Sequence, residues 1–210
     1  ESSVDADVIV PVPDSGNAAA IGYSQHLGKN FGMLTNSGSS ANLIMTQALT
    51  SKKTFMKKYF LPKGSKIITP VVCFPTTLNP IIQTGFEPVF VDVEPETLCL
   101  DIEEVRQAIT TKTKAIMLMS ANGRYPAVGI EAFETLAMQR NIILLEDAAQ
   151  SLGSFYPDGR HIGLAGLAGS FSFSAPKIIS TGQGGCVVTN DAAVADKVRK
   201  LKDFGRASGG

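Results

Sequence analysis

Residues 142–150 read Ile142-Ile143-Leu144-Leu145-Glu146-Asp147-Ala148-Ala149-Gln150. Aliphatic side chains follow one another here with no polar alternation, which does not suit a strand with one wet face. They suit a strand covered on both faces, the usual situation in a parallel sheet. The run ends on a pair of carboxylates, so Asp147 falls at a strand's carboxyl end, where open α/β sheets gather ligands. A carboxylate there can hold a metal, act as a base, pair with a protonated ring nitrogen, or cap a helix.

The same reading extends along the chain. Apolar, β-branched runs predict strands at Lys66–Val72, Pro88–Val93, Ala115–Ser120, Ile142–Glu146, Gly169–Ser174 and Gly185–Thr189. Amphipathic stretches between and around them predict helices at Ser39–Leu49, Thr76–Thr84, Ile102–Ile109, Ile130–Arg140 and Ala192–Phe204. Alternation of this kind is the signature of a βαβ array, hence an α/β fold. Asp101 is placed to cap the helix at Ile102, and Asp191 to start the last one. The loops just past Val72, Ser120, Glu146 and Phe173 then share one sheet edge, the first place to search for chemistry. The chain shows no internal repeat, and Gly205–Gly210 reads as a loop cut short, with no second, C-terminal domain expected.

Composition narrows the function. Lysine plus arginine equals aspartate plus glutamate at 19 each, so no overall field favours nucleic acid or an anionic membrane. The densest basic run, Lys52, Lys53, Lys57 and Lys58, suits a solvated face. Cys73, Cys99 and Cys186 are odd in number and widely spaced, which argues against a disulfide framework or a zinc site and for a reducing, cytoplasmic setting. His26 and His161 are too isolated for a metal centre. The apolar run Asp7–Pro13 is short and has no basic leader, so neither signal peptide nor transmembrane helix is expected.

Two further motifs carry chemistry. Thr35-Asn36-Ser37-Gly38-Ser39-Ser40-Ala41-Asn42 places small residues and hydroxyls at the mouth of an apolar helix, where unpaired N–H groups and the dipole suit a phosphate or where a hydroxyl simply caps the helix. Ser170-Phe171-Ser172-Phe173-Ser174-Ala175-Pro176-Lys177 runs from a strand into a glycine-rich turn. Lys177 therefore lies within reach of the strand-edge crevice, where a desolvated amine can serve as a nucleophile; a lone lysine is otherwise a surface charge.

Taken in order, the helix mouth, the aromatic Phe74, Asp147 and Lys177 resemble the sugar-nucleotide aminotransferases of the aspartate-aminotransferase fold, from about Lys29 to Gly210. The resemblance implies a three-layer α/β sandwich with a mostly parallel sheet, the large domain of fold type I pyridoxal-phosphate (PLP) enzymes, with the C-terminal small domain missing. It implies that pyridoxal 5'-phosphate is bound, with Lys177 carrying the cofactor and Asp147 facing the pyridine nitrogen as catalytic residues. It further implies Gly38, Ser39 and Ser172 on the phosphate, Phe74 stacked on the ring, and Gln150 near the ring hydroxyl. The deoxysugar dehydratases of the same family resemble Asn36–Leu43 but carry histidine where Lys177 stands, so Lys177 argues for transamination.

Residues 1–28 stand apart. Asp7 to Ser24 resembles a strand, loop and helix of glutamine phosphoribosylpyrophosphate amidotransferase, but that family's second phosphate loop and N-terminal cysteine do not occur in the chain. The expectation is a chimera, with a phosphoribosyltransferase-like βα segment at 1–28 and a PLP-binding domain at 29–210. A Walker loop at Gly22–Lys29 fails on spacing, because five residues separate Gly22 from Gly28 and Asn30 replaces the hydroxyl residue. Gly159, Gly163 and Gly166 lack the spacing of a dinucleotide fingerprint. The function expected is transfer of an amino group from an amino acid, glutamate by resemblance, to a keto sugar nucleotide, by a homodimer. The alternative is a catalytically silent chimera or truncated core.

Overall fold

The computed structural model describes residues 8–9, 30–52 and 54–203 of the chain. Along them run β1 (Val8–Ile9), β2 (Asn30–Thr35), α1 (Gly38–Ala48), a 3-10 turn (Thr54–Tyr59), β3 (Lys66–Pro70), α2 (Pro75–Gln83) and β4 (Glu87–Val91). There follow α3 (Ile102–Ala108), β5 (Thr113–Met119), a second 3-10 turn (Ala121–Gly123), α4 (Ile130–Arg140), β6 (Ile143–Asp147), β7 (Ala168–Ser172), β8 (Gly185–Thr189) and α5 (Ala192–Lys202). The strands form one sheet in the order β1-β2-β8-β7-β6-β5-β3-β4. Every pair is parallel except the two that β8 makes, with β2 and with β7.

The aliphatic runs behave as strands buried on both faces. Ile67, Met117 and Leu145 pack with α1, α2 and α5 on one side. Their neighbours Ile68, Ile116, Leu118 and Leu144 pack with α3 and α4 on the other. The fold is therefore the expected three-layer sandwich, and each such side chain contributes about 1.5–3 kcal/mol by leaving water.

Capping residues set the helix starts. Asp101 accepts from Glu103 N at 2.8 Å and Glu104 N at 3.3 Å, while Asp191 accepts from Ala193 N and Val194 N at 2.9 and 3.0 Å. Ser37 caps α1 by accepting from Ser40 N at 3.1 Å.

The structure also departs from the pattern read in the sequence. β2 was not expected as a strand; its single glycine and mixed polarity hide an element whose partner β8 lies more than 150 residues away. β8 runs antiparallel because the link from Phe173 to Gly184 holds no helix to carry the chain back across the sheet. Val8–Ile9 joins the same sheet, whereas the rest of the distinctive first segment, the Gly22–Lys29 stretch apart from its flank, His26, Phe204 and the ending at Gly205–Gly210 lie outside the described residues.

Candidate active site

β3 and β5 are sheet neighbours, yet the chain leaves β3 for β4 on one side and later returns to β5 on the other. Such a switch opens a crevice at the carboxyl ends of the strands. The start of α1 closes one wall of it. Gly38 lies so close to β7 that a Cβ there would sit 2.7 Å from Ser172 Cβ, and a Cβ on Gly185 would run into the carbonyl of Ser37. These glycines let the helix mouth press against β7 and β8. The N–H groups of Gly38 and Ser39, at the first turn of the helix, have no acceptor within it.

Asp147, at the end of β6, is 4% exposed and firmly held. Its Oδ2 accepts from Asn42 Nδ2 at 2.8 Å and from Thr77 Oγ1 at 2.7 Å, and its Oδ1 accepts from Ala149 N at 3.1 Å. Asn42 comes from α1 and Thr77 from α2, so two helices of one layer aim donors at a single carboxylate. Asn42 also donates to Thr76 O at 3.1 Å and accepts from Ser170 Oγ at 2.6 Å. Neither Asn42 nor Thr77 was singled out from the sequence. A polar residue on the apolar face of a helix was the available signal.

The loop after β3 brings in Phe74, 65% exposed, immediately before Pro75 starts α2. The loop after β5 brings Asn122, whose backbone adopts φ 51°, ψ 35°, and whose N–H donates to Gln150 Oε1 at 2.8 Å. The loop after β7 brings Ser172 and Lys177, the latter braced by its N–H to Ser174 O at 2.9 Å.

Gly38, Ser39, Phe74, Asp147, Gln150, Ser172 and Lys177 all line one cavity of about 320 Å³. Among the described residues, Asp147 and Lys177 are the charged groups in its lining. A second cavity of about 460 Å³ adjoins it, sharing Gln150, Ser172 and Lys177 and adding Asn122, Leu152 and Ile178. The arrangement offers helix N–H groups for an anion, an anchored carboxylate, an aromatic face at the mouth and one primary amine.

On the opposite side of β6, Glu146 is fully buried and accepts from Tyr156 OH at 2.6 Å, Gly163 N at 2.8 Å, Ala165 N at 2.7 Å and Gly166 N at 2.5 Å. Burial pushes its carboxyl above the usual range, against the pull of these donors. Its work is to pin the chain between β6 and β7. His161 belongs to the same loop: its Nε2 accepts from Gly153 N at 2.8 Å and its Nδ1 lies 2.6 Å from Ile162 O, so it holds structure. Beside the cavity, burial first and the charge of Asp147 second push the Cys73 thiol up.

Fold and crevice define an α/β protein with a cavity at the carboxyl ends of its strands, faced by a lysine and a buried aspartate. Residues 21–210 match the DegT/DnrJ/EryC1/StrS aminotransferase family, and the chain belongs to that family. It is 37% identical over 207 residues to dTDP-4-dehydro-2,6-dideoxy-D-glucose 3-dehydratase of Saccharopolyspora spinosa, covering 97% of this chain and 43% of that protein. It is 38% identical over 147 residues to GDP-perosamine synthase of Escherichia coli O157:H7, covering 70% of this chain and 40% of that protein. The structure resembles GDP-4-keto-6-deoxymannose-3-dehydratase with a trapped PLP-glutamate geminal diamine at a TM-score of 0.77 and 35% identity, over 88% of this chain and 46% of that one. The chain thus spans less than half the length of these relatives.

The comparisons lend no support to a separate origin for residues 1–28. The family match begins at residue 21, ahead of the boundary at Gly28, and the dehydratase alignment takes in 97% of the chain.

Proposed function

We propose that the chain is the PLP-binding part, over residues 29–210, of an aminotransferase that moves an amino group from glutamate to a keto sugar nucleotide. The observation that carries this reading is the single cavity lined by Lys177, Asp147, Gly38, Ser39, Phe74, Gln150 and Ser172. The donor set fits PLP: unpaired helix N–H groups and hydroxyls for a phosphate, a glycine contact that a Cβ would fill, and a buried carboxylate for a ring nitrogen.

PLP held there would supply an electron sink for chemistry at the donor's Cα. Lys177 Nζ would hold the cofactor and would move the proton at the donor's Cα. Asp147 would accept the ring N–H and favour the charged pyridine. Gly38, Ser39 and Ser172 would hold the phosphate, Phe74 would cover the ring, and the Gln150 amide, whose Oε1 accepts from Asn122 N–H, would have its Nε2 left for the ring hydroxyl. Lys177 favours transamination over the dehydration named for two of the relatives, since a histidine cannot hold the cofactor covalently.

We also infer a homodimer, supported by exposed apolar groups around the mouth: Val71, Val72, Phe74, Ile178 and Ile179. Among the described residues no helix is long and apolar enough to cross a membrane. Free Cys73, Cys99 and Cys186 support a cytoplasmic setting.

The test is incubation with PLP, reduction with borohydride and peptide mapping. An adduct on Lys177 is expected, and an adduct on another lysine overturns the assignment. Conversion of a keto sugar nucleotide with glutamate is measured on a separate, unreduced portion of the PLP-loaded chain. Uptake of PLP without turnover is the second reading. An adduct with no amino-sugar product selects that reading.

A further inference from the structure

Asp147 has two oxygens, and the protein treats them unequally. Oδ2 receives both side-chain donors, Asn42 Nδ2 and Thr77 Oγ1, whereas Oδ1 receives one backbone N–H, from Ala149. A carboxylate oxygen accepts about two hydrogen bonds. Oδ2 is therefore filled and Oδ1 has room for one more donor.

Asn42 is what enforces the difference. It is 1% exposed, and its amide has a single workable orientation. Ser170 Oγ donates to its Oδ1 at 2.6 Å, and its Nδ2 is spent on Asp147 and on the carbonyl of Thr76. Turning the amide over would set oxygen against oxygen at both Asp147 and Thr76. The order is thus relayed inward from β7 through Ser170 to Asn42 and on to Asp147. Asn42 lies on a face of α1 shared with the buried Ala41 and Met45, where an aliphatic residue would pack at least as well and favour the helix more. An amide in that place is explained by the carboxylate it serves.

We propose that Asn42, locked by Ser170, is a positioning residue that presents Oδ1 of Asp147 to the ring nitrogen of the cofactor. The inference rests on the reading of the cavity as a PLP site. Asn42 acts through Asp147. Its loss removes one of the two hydrogen bonds on Oδ2 and leaves the carboxylate held by Thr77 Oγ1 and Ala149 N alone.

The experiment uses the full chain and two variants. Asn42→Leu keeps the branched outline of the side chain and removes the amide. Ser170→Ala leaves Asn42 in place and removes its lock. PLP affinity from fluorescence titration is expected to fall about tenfold or more for Asn42→Leu, the scale of a hydrogen bond to a charged group. Ser170→Ala should lose less, in the same direction. The visible circular dichroism of bound PLP, which reports the ring's orientation, should change in both. Wild-type affinity and an unchanged spectrum in both overturn the proposal.

Hydrogen exchange of the Asn42 side-chain amide in the cofactor-free chain separates the two levels. Slow exchange that quickens in Ser170→Ala supports the relay, and fast exchange in the unmodified chain overturns the proposal while leaving the cofactor reading intact. Failure of the unmodified chain to take up PLP at all overturns that reading, and the proposal with it.

Discussion

Replacing Gly38 by alanine adds one methyl group at the tightest point of the crevice. That carbon would stand 2.7 Å from Ser172 Cβ, 3.2 Å from its Oγ and 3.3 Å from its Cα. Ordinary carbon contacts lie at about 3.5–4.0 Å, so the start of α1 and the end of β7 must separate by roughly 1 Å. Rotating Ser172 does not help, because Cβ and Cα are fixed by the strand. Overpacking of this kind costs about 1–3 kcal/mol. For a chain of this size that is a fall in Tm of about 2–12 °C. The same displacement moves the N–H groups of Gly38 and Ser39 away from the Ser172 hydroxyl, and a misplacement of about 1 Å costs on the order of a hundredfold where geometry decides function. Thermal melts by circular dichroism and PLP titration by fluorescence measure the two effects together. Ser39→Ala is the control for the melt alone, since it alters the same turn without adding bulk. A Gly38→Ala variant with unchanged Tm and unchanged PLP affinity would refute the close-contact reasoning.

Three other outcomes are expected. Glu146→Ala strands three backbone N–H groups and the Tyr156 hydroxyl, so the chain should lose about 3 kcal/mol or more, read as a lower urea midpoint. Asp147→Asn should still take up PLP but slow the glutamate half-reaction by at least about tenfold in stopped-flow absorbance, because an amide cannot sustain the pyridinium charge. The Cys73 thiol, raised by burial and by Asp147, reacts only as its thiolate. Its alkylation rate should therefore rise at higher pH than that of a free thiol, and Asp147→Asn should move the profile to lower pH; an unmoved profile removes the electrostatic contribution.

Much of the candidate site was legible because its signals are local. The run Ile142–Leu145 announces a strand, the strand's end announces Asp147, and Asp101 and Asp191 announce their helices within three residues of themselves. Lys177 and Gly38 were found through a family pattern carried by short motifs. What escaped is non-local. Asn42 meets Asp147 across 105 positions and Thr77 meets it across 70, so no window along the chain contains either pair. β2 escaped for the same reason, since its burial depends on β8. Glu146 was quoted only as part of a motif. A charged residue closing an aliphatic run demands partners, but nothing near it in the chain says that they are the N–H groups of residues 163–166.

The place of β8 has a consequence for how the protein is made. β2 sits between β1 and β8, and α1 rests its first turn against Gly185. On the ribosome, β3 to β7 emerge as consecutive, mutually pairing parallel units, and they can assemble as they appear. The helix mouth, although translated long before them, waits for β8: its seat is missing until residues 185–189 leave the exit tunnel. Contacts this distant in sequence are slow to close. The start of α1, translated before β3 to β8, is thus completed only after them.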